Sequence, residues 1–264
     1  MHMIVTGASG FIGRAVVRVA QARGHAVTAV GRYDDVTKLL RGDDRLIHLA
    51  WQDVEKYTGP QSLFRNLEPQ FLFLKMMLDA GLRRITVAGS CLEYGLVEGM
   101  LSEDMPCDPV TYYGLAKLTL YRMLTLAGGG DIQLNWLRYF YVHGPGQRPQ
   151  ALLPQLQSAI DRGDKVFNMS PGDQSRDFIH VDTVAHNTVL AAEQPRGLGI
   201  VNVGSGQPLR VIDLVREVLK RRNSAMEINA GFYPYPAYEP YAFWANTNKL
   251  KAVPGMNVDQ KVVL

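Results

Sequence analysis

Cysteine is nearly absent from this chain of 264 residues: Cys91 and Cys107 are the only two. A single pair makes neither a disulfide framework nor a cysteine metal cluster, so stability has to come from a buried core, and no metal site is expected. An excess of charge of one sign is missing as well. The 28 basic side chains are set against 25 acidic ones, leaving a formal +3 with no polybasic run. That gives little grip on nucleic acid or an anionic membrane surface, and only a mild preference for anionic small ligands. Long apolar runs are also lacking. The richest stretch, FLFLKMMLDAG, is short and interrupted by Lys75, which makes it a core helix and not a membrane span. The opening MHMIVTGASG goes directly into a strand pattern without a signal-peptide layout, so the expected location is a reducing cytoplasm. With 47% hydrophobic and 20% charged residues the chain reads as soluble and globular, without internal repeats.

What is present is an alternation. MIVTG is a short apolar strand, and FIGRAVVRVAQARG carries Ile12, Val16, Val19 and Ala20 at helical spacing until Gly24. HAVTAVGR and DDRLIHLA are two more strands, a helix through FLFLKMMLDAG stops at Gly81, and ITVAGS is the next strand. A helix through YYGLAKLTLYRMLTLA and the strand IQLNWLRYF complete the series. This order predicts an α/β Rossmann-type fold, a doubly wound parallel sheet with right-handed crossovers, over residues 1–142 with later strands near 176–203. Residues 143–264 are loop-rich, with helices at LLPQLQSAIDRG, DTVAHNTVLAAE and VIDLVREVLKRR, and predict a small interleaved substrate-binding lobe.

Between the first strand and helix, TGASGFIG spaces Gly7, Gly10 and Gly13 as a phosphate turn. Glycine permits the tight turn and lets a pyrophosphate approach the backbone at the positive end of a helix. The expected cradle is Gly7, Ser9, Gly10, Phe11, Ile12 and Gly13. An acid after the second strand would take the ribose hydroxyls of NAD, whereas an arginine accepts the 2′-phosphate of NADP. That position is Arg32, which favours NADP(H); Asp34 and Asp35 follow closely enough to keep NAD(H) open.

TYYGLAK raises a sharper question, because two tyrosines precede one lysine. Residues four apart share a helix face, so Tyr113 and Lys117 can share one environment while Tyr112 is turned away. An ammonium about 4 to 5 Å from a phenol favours the phenolate by roughly 3 to 4 kcal/mol at an effective dielectric of about 20. That would carry Tyr113 from about 10 toward neutrality. The alternative is a packed tyrosine beside a solvated lysine.

With TGASGFIG, LIHLA, VAGSCLEYG, YYGLAK, LRYFYVHGPGQ and RDFIHVDTVA in this order, the chain resembles the extended short-chain dehydrogenase/reductases that act on nucleotide sugars, along essentially its whole length. The resemblance implies that Ser90 hydrogen-bonds the sugar oxygen, Tyr113 is the acid/base, and Lys117 holds the cofactor ribose. It implies that Leu49, Ala50 and Tyr139 line the cofactor, that Cys91, Tyr141 and Arg176 meet the substrate, and that Arg176 approaches the diphosphate. The local alternatives are Ser90 as a helix cap, Cys91 as a packed thiol, and Arg176 in a salt bridge with Asp177 or Asp173. His48 and His180 read as structural. A homodimer through the helices bearing Phe71 and Tyr113 is also implied.

Three departures matter. Fifteen residues separate Arg32 from His48, too few for the strand and helix common there, so one βα unit is missing or cut short. Sugar 4,6-dehydratases place Asp and Glu directly after the position of Ser90; here they are Cys91 and Leu92, with Glu93 one residue out of register, and dehydration is disfavoured. Tyr141 stands where many relatives have asparagine. The expected activity is reduction of a nucleoside-diphosphate-linked 4-keto-6-deoxyhexose by NADPH, with an NAD-dependent 4-epimerase as the alternative and a non-enzymatic NAD(P) sensor as the rival from another class.

Overall fold

A computed structural model gives the fold and describes residues 1–31, 37–54 and 56–259. Its centre is a parallel sheet that starts with β1 (His2–Thr6) and β2 (Ala26–Val30), joined by α1 (Phe11–Ala22). The sheet continues through β3 (Arg45–His48) and, after α2 (Glu68–Asp79), through β4 (Arg84–Ser90). A short β5 (Gly99–Leu101) and the long α3 (Tyr112–Gly128) lead to β6 (Gln133–Tyr139). β7 (Tyr141–His143), α4 (Leu152–Arg162) and β8 (Val166–Met169) leave the sheet, β9 (Ser175–His180) and α5 (Val181–Glu193) return, and β10 (Gly199–Val203) closes its far edge. The six strands lie in the order β10-β6-β4-β3-β1-β2, all parallel.

Apolar residues explain the layering. Ile4, Leu46, Ile85, Val87 and Trp136 bury one face of the sheet against Phe73, Leu74 and Met77 of α2 and Leu120 and Leu124 of α3. Met3, Val5 and Ile47, alternating with that set along the strands, face Val16 and Ala20 of α1 and Ala185 and Val189 of α5. Two-sided burial is why these strands read as continuous apolar runs. β2 is the outer strand, and the described residues of the link from it to β3 hold no helix longer than one 3₁₀ turn, Thr37–Leu39, followed by a turn at Arg41–Asp44. Strand order reverses between β1 and β3, which opens a crevice at their carboxyl ends.

A separate apolar cluster, around Leu156, Phe167, Leu214 and Val218, joins α4, β8, α6 (Val211–Arg221) and β12 (Glu227–Ala230), with β11 (Pro208–Arg210) leading into α6. β13 (Phe243–Ala245) pairs with β5, and α7 (Asn248–Lys251) packs by β10. No helix among the described residues is long and apolar enough to cross a membrane.

Candidate active site

The crevice begins where β1 ends. Gly7 has φ +67°, a conformation side chains resist, and a Cβ there would lie 2.8 Å from the Ala50 amide. A Cβ on Gly13 would sit 2.0 Å from the Gly7 carbonyl oxygen, so α1 rests directly on the turn. Gly10 caps α1 without a side-chain hydrogen bond, so no side chain of the cap takes the helix's leading amides. Ser9 accepts from Arg14 through its carbonyl at 2.6 Å, and Phe11 and Ile12 open the helix. Across the crevice, the Thr6 hydroxyl accepts from the amides of Leu49 and Ala50 at 3.2 and 3.3 Å. Arg32, on which the choice between NADP(H) and NAD(H) turns, lies outside the described residues, as do Asp34 and Asp35.

His48 is held on both nitrogens, Nδ1 by the Thr6 hydroxyl at 2.8 Å and Nε2 by Gln70, which also donates to the Ala50 carbonyl at 2.7 Å. Burial, aided by the Lys117 charge, pushes its pKa down to about 3. It clamps the backbone of this crevice wall and makes a poor base.

β4 delivers Ser90 to the same edge, where it caps the turn Cys91–Glu93. Its hydroxyl accepts from the Leu92 amide at 3.2 Å and its amide donates to Glu93 at 2.8 Å, a reciprocal cap. Glu93 is fully buried; its carboxylate also takes the Trp136 indole N–H at 2.9 Å and Nε of Arg138 at 2.8 Å. The carboxylate one residue out of register is therefore a structural post under Ser90. The Cys91 thiol is pushed up well above its usual range by burial, with nearby carboxylates adding to it, which suits a packed residue and not a nucleophile.

α3 starts behind a Thr111 cap whose hydroxyl accepts from the Gly114 amide at 3.0 Å. Tyr112 is 43% exposed and Tyr113 only 9%, so the helix face separates the two phenols as the spacing predicts. Lys117 is buried on the same face as Tyr113, but its ammonium donates to the Ala88 carbonyl at 2.8 Å and lies 5.8 Å from the Tyr113 ring centre. The expected lowering of the phenol is not seen. Burial, with the charges of Tyr57, Glu93 and Cys91, pushes Tyr113 far up, and the Ser90 side chain facing it pulls the other way. The same burial brings Lys117 down to about 7.

β6, β7 and β9 carry the remaining candidates. Tyr139 bonds Thr188 at 2.8 Å, and Tyr141 packs its ring against Phe178 and Phe243. The Arg176 guanidinium, 5.6 Å from the Tyr141 ring centre, is engaged by Glu239 at 2.8 Å and by the carbonyls of Ser175 and Tyr241. Its ion-pair partner is neither Asp177 nor Asp173, and a diphosphate would have to share a guanidinium already so engaged. His180 caps α5, accepting from the Asp182 amide at 3.2 Å. Two neighbours of Tyr113 escape sequence reasoning. Trp51 packs edge-on to the phenol at 5.6 Å, and the Tyr57 carbonyl accepts the Tyr113 amide at 3.1 Å. HLAW gives Trp51 a place beside the crevice, whereas no pattern marks Tyr57.

The profile of the NAD dependent epimerase/dehydratase family matches residues 3–204. The dTDP-6-deoxy-L-talose 4-dehydrogenase (NAD(+)) of Aggregatibacter actinomycetemcomitans is 28% identical, over 92% of this chain and 99% of that protein. A UDP-glucose 4-epimerase of Corynebacterium glutamicum is 26% identical over 95% of this chain and 89% of its own length. Among solved structures, MoeE5 in complex with UDP-glucuronic acid and NAD superposes with a TM-score of 0.85 at 26% identity, covering 98% of this chain and 94% of MoeE5.

Proposed function

This chain belongs to the NAD dependent epimerase/dehydratase family, and from that membership we propose that it reduces the 4-keto group of a nucleoside-diphosphate-linked 6-deoxyhexose. The observation that carries this reading is the fate of the residues after Ser90. Cys91 and Leu92 cannot move protons at neutral pH, and Glu93 is locked under the turn by Ser90, Trp136 and Arg138. Elimination of water needs a proton-moving pair there, whereas hydride exchange at a carbonyl needs only a hydroxyl donor and a phenol. The relative that acts at C4 of a 6-deoxytalose adds support, since oxidation and reduction of one carbon use one site in opposite directions.

When bound, a nicotinamide dinucleotide would supply the hydride; Gly7, Ser9, Gly10, Phe11, Ile12 and Gly13 would hold its phosphates, Leu49, Ala50 and Tyr139 would line its path, and Lys117 would hold its ribose. Ser90 donates a hydrogen bond to the sugar carbonyl oxygen. Tyr113, kept protonated by burial, gives its phenolic proton to the oxygen as negative charge gathers there. The positive charge on Lys117 stabilises the phenolate left behind. Cys91, Tyr141 and Arg176 wall the sugar side, with Arg176 also steadying the segment Glu239–Tyr241. Arg32 makes NADP(H) our first choice of cofactor, and the NAD named with the relatives above makes NAD(H) its competitor. We also propose a homodimer through α2 and α3, whose Leu72 and Leu115 are exposed, to be checked by light scattering.

The test is oxidation of NADPH and NADH by the purified protein across a panel of nucleotide-linked 4-keto-6-deoxyhexoses. Absence of oxidation with every sugar refutes the reductase. A 4-epimerase is the second reading, favoured by the UDP-glucose 4-epimerase among the relatives. It would retain bound NAD through purification and interconvert 4-epimers with no added cofactor.

A further inference from the structure

Trp51 lies three residues beyond the end of β3, after Leu49 and Ala50, and contacts both residues of YYGLAK to which chemistry is assigned. The Lys117 ammonium lies 3.8 Å from the centre of the Trp51 ring, closer than to any other aromatic ring described around it. The same indole meets the Tyr113 ring edge-to-face, with an interplanar angle of 88°. An ammonium has three protons to place, and the Ala88 carbonyl takes one of them at 2.8 Å. In a site this buried the electron-rich face of an indole stands in for lost water, and it does so better than any other side-chain ring.

We infer that Trp51 is a positioning residue of the hydride-transfer centre: its indole face fixes the Lys117 ammonium and its edge fixes the Tyr113 ring, setting the separation of cation and phenol. The inference rests on the reading of Lys117 and Tyr113 given above. It goes beyond that reading because Trp51 touches neither reacting group of the substrate; it acts through the lysine and the tyrosine. The charged and titratable groups around the ammonium are Glu93, which favours the charge, His48, which is neutral, and the protonated Tyr113.

Two measurements test it, and the first needs neither cofactor nor sugar. Trp51 emission, taken as the difference between wild type and Trp51→Phe, is followed against pH in the cofactor-free protein. A step near pH 7, where Lys117 loses its proton, is expected and should vanish in Lys117→Met. Absence of the step, or its survival in Lys117→Met, overturns the contact. The second measurement is turnover. Trp51→Leu, which removes the ring, should lower kcat by about 30-fold, the scale of a desolvated cation–π contact, with sugar KM little altered. Trp51→Phe, with a weaker face, should fall between. Equal losses in the two variants would assign the effect to the indole N–H and sink the proposal, as would an unaltered kcat in Trp51→Leu. Melting curves confirm folding, and Trp51→Tyr replaces Trp51→Leu if the latter does not fold. Should no 4-keto sugar be turned over by the wild type, the reductase reading fails while the emission titration still decides the contact.

Discussion

Glu93→Gln isolates the post beneath Ser90. The substitution keeps the shape of the side chain and removes its charge, leaving the Arg138 guanidinium, whose side chain is 2% exposed, without its anion. The amide must also turn an N–H toward Trp136 or Arg138, which are both donors. Stranding one member of a buried ion pair costs about 3 to 5 kcal/mol. A chain of 264 residues has an unfolding entropy of about 0.55 kcal/mol/K, so the melting temperature should fall by about 5 to 9 °C. Turnover should fall too, because the Ser90 amide loses a carboxylate partner. Calorimetry of Glu93→Gln, Arg138→Met and the double variant measures this directly. Once both charges are gone the buried penalty is relieved, so the double variant should melt above Glu93→Gln. A Glu93→Gln protein that melts with the wild type, or a double variant that melts below both singles, refutes the reasoning.

Tyr113→Phe should lower turnover by roughly 10² to 10⁴-fold, the range for losing a general acid, while calorimetric cofactor affinity holds. Gly13→Ala places a methyl 2.0 Å from the Gly7 carbonyl oxygen. Overpacking of about 1 to 3 kcal/mol should weaken dinucleotide binding by roughly 5 to 150-fold, read by titration calorimetry. Lys117 gives a pH signature. Its pKa is lowered on folding to about 7 from 10.5, so between those values the unfolded chain binds more protons and this group makes stability rise with pH. The stability advantage of Lys117→Met over wild type, from urea titrations without cofactor, should therefore shrink from pH 6.5 to pH 9.5; a constant or growing advantage would contradict a buried, depressed lysine.

The parts of this molecule legible in its sequence are those whose determinants lie close together along the chain. The phosphate turn is one: Gly7 and Gly13 touch within a single strand–turn–helix unit, and the spacing alone requires small residues there. The separation of Tyr112 from Tyr113 is another, because helix geometry sets it. Pairings over distance are not legible. β5 and β13 are three residues each, carry no alternation of their own, and find each other across most of the chain. Arg176 has its chemistry written in its type, yet its partner Glu239 is 63 residues away, and the nearer Asp173 and Asp177 misdirect the choice. Glu93 shows both sides. Ser90 followed by Glu93 is a capping-box spacing, but the burial that turns the carboxylate into a post comes from Trp136 and Arg138, 43 and 45 residues on.

Protonation is harder to read than identity, for the same reason. The four-residue spacing of Tyr113 and Lys117 sets which groups share a face, and from spacing alone the cation should lower the phenol. Burial dominates instead, raising the tyrosine and lowering the lysine, while the ammonium turns to Ala88 of β4 and to Trp51 in the loop after β3. A phenol held as an acid beside a lysine that titrates near neutrality can give its proton to a developing alkoxide, and the same pair takes the proton back when the reaction runs in reverse, so both directions pass through one transition state. In each, the cation stands beside a forming or vanishing phenolate, and the residue that sets their separation is Trp51, reached from the segment after β3 and invisible to any pattern within α3.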